Sequence, residues 1–225
     1  IFALVGFFGM TQKCNDQDWQ VLQSVSGNVT TINTPGWYNS WFGTVWTYKR
    51  NYHFEYTKEI TPESPTDEST RVTFNDGGTA EMDVMIRIMT PTVSDRQREF
   101  HRQFSGSEKT MKDAIWGHIS NVLKATAPLM SASEHQSACK SEFQQMVTEQ
   151  LSNGLYEMRK VERVLKDQFD TKGNPITVFA TETVRDEKGR PIVAQKSPFE
   201  QLGIVVTQFS ITETDYDQQT LKQFA

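Results

Sequence analysis

The clearest periodicity in the chain is a run of apolar residues at every second position: Ala80, Met82, Val84, Ile86 and Ile88. A period of two puts all five on one face of a strand. Arg71 to Phe74 precedes it, followed by Asn75-Asp76-Gly77-Gly78, the turn chemistry of a hairpin. Pro91 ends the strand. Tyr52, Phe54 and Tyr56 alternate with His53, Glu55 and Thr57, which predicts a second half-buried strand within a β-rich stretch from 19 to 60. Within that stretch Pro35 presets φ and Gly36 accepts a positive φ, so Thr34-Pro35-Gly36 reads as a turn. Residues 61 to 69 read as a polar loop.

After Pro91 the period changes to 3.6. Ser94 to Gln97 and Ser105 to Glu108 both fit the capping box, a hydroxyl followed three residues later by Gln or Glu. Met111, Ile115, Ile119, Val122 and Leu123 form one apolar stripe, and Pro128 stops that helix. Ser131 to Glu134 starts another, with Cys139, Phe143, Val147 and Leu151 in an i, i+4 series and Asn153-Gly154 as its end. Strand character then returns. Residues 155 to 166 are compatible with β structure. Ile176 to Val184 and Pro191 to Gln195 flank a turn at Asp186 to Gly189, and Ile204 to Ile211 reads as a last strand. Thr214 to Ala225 is polar and reads as the start of a helix.

The first ten residues, Ile1 to Met10, are uncharged and mostly apolar. Ten residues are about half of the roughly 20 that a helix needs to cross a bilayer. The run is expected to be the end of a membrane-anchor helix, with Ile1, Phe2, Leu4, Val5, Phe7 and Phe8 as the anchoring residues. A buried first strand fits less well, because no polar residues alternate with the apolar ones. A signal-peptide remnant lacks the small-residue cleavage site. The expected localisation is a single-pass membrane protein, its side of the membrane open.

At 225 residues the chain holds one large or two small domains. A net charge of −5 argues against a nucleic-acid partner. Two cysteines, Cys14 and Cys139, make no disulfide framework. Cys139 falls on the apolar stripe of its helix. Cys14, just past the apolar run, is a candidate for acylation, with an idle thiol as the alternative. Asn28-Val29-Thr30 is a glycosylation sequon of a kind common by chance.

No nucleotide loop, zinc-protease motif, paired Cys-x-x-Cys or Gly-x-Ser-x-Gly elbow is present. His53, His101, His118 and His135 are scattered, and Glu81 with Asp83 reads as a solvated strand face. No catalytic residue, metal or cofactor is expected. The chemistry that stands out is aromatic. Trp37, Tyr38, Trp41, Phe42 and Trp46 follow the Pro35-Gly36 turn within ten residues. Trp and Tyr favour the membrane interface, where the ring is half buried and its polar edge stays wet. Trp37, Tyr38, Trp41 and Phe42 are therefore candidates for a loop in the headgroup layer, the alternative being rings that cap a small core. Trp46 falls in a strand and is expected in the core. Glu142, Gln144, Gln145 and Glu149 on one helix, with Arg159, Lys160, Glu162 and Arg163 beyond it, are candidates for a subunit contact.

In their order, these pieces resemble the SPFH or Band 7 superfamily of stomatins, prohibitins and flotillins. The likeness runs over nearly the whole chain: an apolar anchor, the turn Thr34-Pro35-Gly36-Trp37, and the strand Asp76 to Ile88 after its Asp-Gly turn. Helices follow that end in Gln150-Leu151-Ser152-Asn153-Gly154, then Leu202-Gly203-Ile204-Val205-Val206. The turn at Asp186 to Gly189 looks like an insertion, and Gly117-His118-Ile119-Ser120 stands where the family usually has an arginine. The resemblance implies an α+β fold. The end of the anchor (1–12) is followed by a β-rich SPFH1-like module (13–92) and an SPFH2-like α+β module (93–213) with a hairpin insertion (172–196). Residues 214–225 begin a helix or coiled coil that would continue past Ala225. It also implies a non-enzymatic scaffold on a lipid bilayer, packing side by side into a ring or cage, alone or with a paralogous subunit. Such a cage would enclose a membrane patch or a membrane AAA protease. A smaller tethered adaptor and a tethered hydrolase are the alternatives.

Overall fold

A computed structural model describes residues 10–60, 66–137, 139–169 and 175–223, with side chains at 163–169 and 175–179 left aside. The strands are β1 (Thr11–Cys14), β2 (Asp18–Gln23), β3 (Val29–Ile32), β4 (Gly36–Asn39), β5 (Thr44–Lys49), β6 (Asn51–Tyr56), β7 (Thr70–Thr73) and β8 (Thr79–Met89). After the helices come β9 (Gly154–Tyr156), β10 (Met158–Phe169), β11 (Pro175–Thr183), β12 (Val193–Lys196) and β13 (Val205–Tyr216). The helices are α1 (Ser94–Phe104), α2 (Glu108–Thr126), α3 (Ala132–Ser137), α4 (Lys140–Asn153), α5 (Pro198–Leu202) and α6 (Gln218–Gln223). A 3-10 turn, Ala127–Leu129, follows α2.

The chain divides into two compact units, each assembled from three stretches. The first comprises Ile1–Phe54, Ile86–Ile115 and Phe199–Gln208. It holds the three-stranded antiparallel sheet β3-β2-β5 and the ribbon β1-β4. Its core centres on Trp19, which is wholly buried. The Trp19 indole stacks on Tyr48 with ring centroids 4.4 Å apart and meets Phe100 edge-on at 5.9 Å. Its Nε1–H donates to Thr90 Oγ1 at 2.9 Å, so the one polar atom on the ring is satisfied. The second unit comprises Glu55–Met85, Trp116–Pro198 and Phe209–Ala225. Its core joins Met82 and Val84 of β8 to Ile119, Val122 and Leu123 of α2 and Phe143, Val147 and Leu151 of α4.

The period-two reading is borne out at β8, where Ala80, Met82, Val84, Ile86 and Ile88 are all buried, and at β6, where Tyr52, Phe54 and Tyr56 are. The β7–β8 hairpin closes as the turn residues require, with Phe74 N–H donating to Gly78 O and Gly77 at a φ of 81°. The box at Ser131 is complete. Glu134 N–H donates to Ser131 Oγ, and the Glu134 carboxylate accepts from Ser131 N–H. The other two boxes are not. Ser105 closes α1 in the left-handed conformation, and Ser107, two residues later, caps α2 by accepting from Thr110 N–H. Gln97 does not turn back to its helix end. Its amide is buried, exchanging hydrogen bonds with Asn33 and donating to Pro91 O.

The expected single helix from 131 to 153 is two, α3 and α4, and Cys139 sits half-buried at the junction instead of in the core. The expected hairpin of 176–184 on 191–195 survives only near its turn, at the bridge Arg185–Pro191 and the Ile192 N–H to Val184 O bond. Above that, β11 pairs with β10, and β12 pairs with β9. A long strand on each side satisfies more backbone than a short arm does, which is why the ribbon forms there. Thr214 to Tyr216 extends β13, and the helix α6 starts only at Gln218.

The expected fold class with its membrane-anchor helix and the expected single-pass localisation need correction. Among the described residues no helix is long and apolar enough to cross a membrane. α2, the longest of the described helices at 19 residues, carries five charged side chains, Glu108, Lys109, Lys112, Asp113 and Lys124. The fold is a mixed one in which sheets predominate. The anchoring residues Ile1, Phe2, Leu4, Val5, Phe7 and Phe8 lie outside the described residues.

Candidate interaction surface

The aromatic segment leaves β4, makes a four-residue turn and enters β5. β4 pairs with β1 so that Lys13 faces Trp37 and Gln12 faces Tyr38. Strand alternation then sorts the rings. Tyr38 points inward and is half-buried, its hydroxyl donating to Gln20 Oε1 at 2.8 Å. The same buried Gln20 amide donates to Lys13 O and to Thr47 Oγ1, tying β1, β4 and β5 to β2. Trp37 points outward and is 69% exposed. Gly36, at a φ of 134°, turns the chain into β4 after the exposed Pro35, as the turn reading requires.

The turn Ser40 to Gly43 is closed by Gly43 N–H donating to Ser40 O at 2.8 Å. Its two central residues are Trp41 and Phe42, with φ of 47° and 61°. Positive φ at both centres is the mark of the mirror-image hairpin turn, which normally takes Asn and Gly. Large aromatic side chains there are outliers that the surroundings must hold in place. Two constraints do so. Ser40 N–H and Trp41 N–H both donate to Met10 O, at 2.7 and 3.3 Å. Gly43 admits no side chain, since a Cβ would come within 2.5 Å of Gln23 O and 2.7 Å of the Leu22 side chain. The outcome is that Trp41 and Phe42 stand 62% and 61% exposed. The alternative of Trp37, Trp41 and Phe42 capping a core does not fit these exposures.

Trp46 is half-buried and tilts against the His101 ring at a centroid distance of 4.7 Å. His101 Nδ1 lies 2.5 Å from the Tyr48 hydroxyl. Burial pushes the Tyr48 phenol up to about 12 and the His101 imidazole down, so both rings stay neutral near pH 7.

Cys14 is 1% exposed, with Asn15 O, Asp18 O and Ile32 O around its sulfur. Burial raises its pKa, with Asp18 adding to the effect. A covered, protonated thiol suits the idle-thiol alternative better than acylation.

The expected subunit-contact residues lie in the second unit. Gln144 donates to Phe209 O at 3.0 Å, Gln145 to Glu149, and Glu149 accepts from the Tyr156 hydroxyl at 2.8 Å. Glu142 lines a cavity of about 530 Å³ with Cys139, Met146, Arg159 and Arg185. Gln144, Gln145 and Glu149 are thus engaged within the unit, while Glu142 is exposed. Arg159 and Lys160 lie along β10, where Arg159 pairs with Glu182 across the ribbon.

Sequence reasoning missed three buried amides, Gln20, Gln97 and Gln150. Gln150 donates to Thr126 Oγ1 and accepts from Tyr156 N–H. Nothing local marks a Gln as buried. It also missed His135, 1% exposed among Phe74, Phe143 and Tyr216, with Nδ1 2.7 Å from the Tyr216 hydroxyl. Its pKa is pushed down to about 4 by burial, with a smaller contribution from Lys140. Ser197 lies 3.3 Å from His118 Nε2, but the serine is buried and its hydroxyl also donates to Leu151 O, a structural arrangement. Asp83 is also buried, both of its oxygens accepting from Lys58 N–H, rather than forming a solvated face with Glu81. Among the described residues no group of three or more His, Cys, Asp and Glu could hold a metal ion. No family model matches the chain and no curated protein matches it, so the likeness to the Band 7 superfamily rests on the sequence motifs themselves.

Proposed function

We propose that this chain is a non-catalytic scaffold module of Band 7 type. It lies against a lipid bilayer through the aromatic loop Trp37 to Phe42 and packs side by side with copies of itself. The observation that carries this reading is the loop itself: three large rings in solvent, two of them held at positive φ by the Met10 carbonyl and by Gly43. A fold that keeps aromatic residues in a conformation suited to Asn and Gly retains them for a contact outside the chain. Trp at such a position favours the headgroup layer, where ring and N–H are both accommodated. Contact of this kind lies on the bilayer and needs no spanning helix.

Side-by-side assembly is supported by the ordered Band 7 motifs. It requires two different complementary faces on each protomer, the heterologous arrangement that closes into rings. The enclosed membrane patch or protease belongs to the same reading. The test is flotation of the full chain with liposomes, followed by the mass of the floated species. Bound assemblies of many copies support the proposal. Bound monomers or dimers favour an adaptor instead, and a W41S/F42S variant that floats as well as the parent removes the loop from the contact.

A further inference from the structure

From Trp19 to Tyr48, thirty residues, the chain contains no Asp, Glu, Lys, Arg or His. At the chain's own charged content of 23%, about seven charges would fall in a stretch of that length. The stretch is not core. It runs through β2, β3, β4 and β5 and two exposed turns, and Val25, Trp37, Trp41 and Phe42 are all among its exposed residues.

The two turns lie side by side. The register of β2 and β5 pairs Gln23 with Thr44, the last residue of one strand with the first of the other. Gly43 approaches Gln23 closely enough that a Cβ would sit 2.5 Å from its carbonyl oxygen. The turn Ser24 to Asn28, closed by Gly27 N–H to Ser24 O and Ser24 N–H to Asn28 O, therefore adjoins the turn Ser40 to Gly43. Val25 at the first tip is 79% exposed, beside Trp41 and Phe42 at the second. At the other end of the same strands Asp18 faces Lys49. Five residue steps at about 3.3 Å place that charged pair roughly 17 Å from the tips, beyond a Debye length of about 8 Å at physiological salt. Lys13, opposite Trp37 on β1, is the cation nearest the aromatic residues along this ribbon.

We infer that these two turns form one uncharged docking tip that recognises the interface of zwitterionic phospholipid, with Val25 as a third anchor beside Trp41 and Phe42. The inference rests on the lipid-contact reading above and adds the headgroup chemistry. A tip without cations gains nothing from anionic lipid, and a tip without anions is not repelled by it. Binding is then apolar and interfacial, and salt leaves it nearly unchanged. The polar residues around the rings, Ser24, Ser26, Asn28, Asn39 and Thr44, supply donors and acceptors for headgroup and water, as an interfacial site requires.

The experiment measures partitioning of the full chain onto phosphatidylcholine vesicles and onto vesicles with added phosphatidylserine, at low and high salt. The parent chain is expected to bind both alike, with little change on adding salt. Trp41→Asn with Phe42→Gly is expected to lower the partition coefficient roughly ten- to a hundredfold, and Val25→Ser several-fold. A thermal melt of each variant confirms that it is folded. Binding that appears only with phosphatidylserine, or that collapses in high salt, overturns the neutral tip while leaving lipid contact standing. Unchanged binding of the Val25 variant removes the second turn from the tip. No binding to either vesicle removes the lipid reading itself. Variants that alter the sedimentation of lipid-free protein but not vesicle binding assign the tip to contact between copies, which also overturns the inference.

Discussion

Replacing Trp41 by Asn and Phe42 by Gly turns a strained aromatic turn into the pair that positive φ favours, and the stability change can be worked out. An L-residue with a side chain in the left-handed region costs about 1–2 kcal/mol, so the two together store about 2–4 kcal/mol. Asn and Gly release most of it. Against this stands the covered part of each ring. At 62% and 61% exposure, a little under two-fifths of each residue is out of water. For side chains of about 200 Å², that is about 75 Å² each, or about 2 kcal/mol apiece at about 25 cal/mol/Å². The figure is an upper bound, because the unfolded chain hides part of the same surface. About 2–4 kcal/mol of strain released nearly cancels at most about 4 kcal/mol of burial lost, so parent and variant should differ by less than about 2 kcal/mol. Urea unfolding of parent and variant measures the difference, with equal m-values as the check that both unfold alike. Loss of more than about 2 kcal/mol would refute the reasoning, because the rings would then be part of what holds the unit together.

Other substitutions are expected to behave differently. Trp19→Ala removes a wholly buried ring and its bond to Thr90, and should cost about 3–5 kcal/mol in the same assay. Gln150→Leu leaves Thr126 Oγ1 and Tyr156 N–H without this partner in the core. The Thr126 hydroxyl still donates to Val122 O, so the cost falls mainly on Tyr156 N–H, about 1–3 kcal/mol, read as a lower urea midpoint. His135 gives an acid dependence. Its pKa is about 4 folded against 6.5 unfolded, so above 6.5 it contributes no pH dependence. As pH falls from 6.5 to 4 the unfolded chain takes up the proton first, and about 3 kcal/mol of stability is lost, levelling off below 4. Unfolding curves across that range should show the loss, and His135→Phe should flatten this part of it. A thiol reagent should label Cys139 in the native protein and reach Cys14 only on unfolding; equal rates would contradict the burial of Cys14.

What the sequence made legible was local. The alternation of β6 and β8 and the Ser131 box depend on residues a few positions apart, and each appears as read. The errors arose where a distant partner decided the outcome. Gln97 had the spacing of a capping residue, but Asn33, 64 residues away, offered a reciprocal amide pair. The arm at 176–184 had a good turn beside it, but β10 offered a longer ladder. Ser105 and Ser107 differ by two positions, and only the backbone of the α1–α2 link decides which of them caps. For the candidate site, the sequence showed the cluster of aromatic residues but not which of them face outward. That followed from the pairing of β4 with β1, which turns Tyr38 inward and Trp37 outward, and from a turn whose φ values no residue preference would have assigned to Trp and Phe. The expectation of a spanning helix rested on residues outside the described structure, and nothing in the described helices carries it.

Imaging the full chain bound to phosphatidylcholine vesicles tests the central claim most directly, because it reads lipid contact, orientation and assembly together. The account predicts protomers side by side on the vesicle surface, each with the Ser24–Asn28 and Ser40–Gly43 turns against the headgroups. Bare vesicles, or isolated protomers with those turns facing solvent, would contradict it.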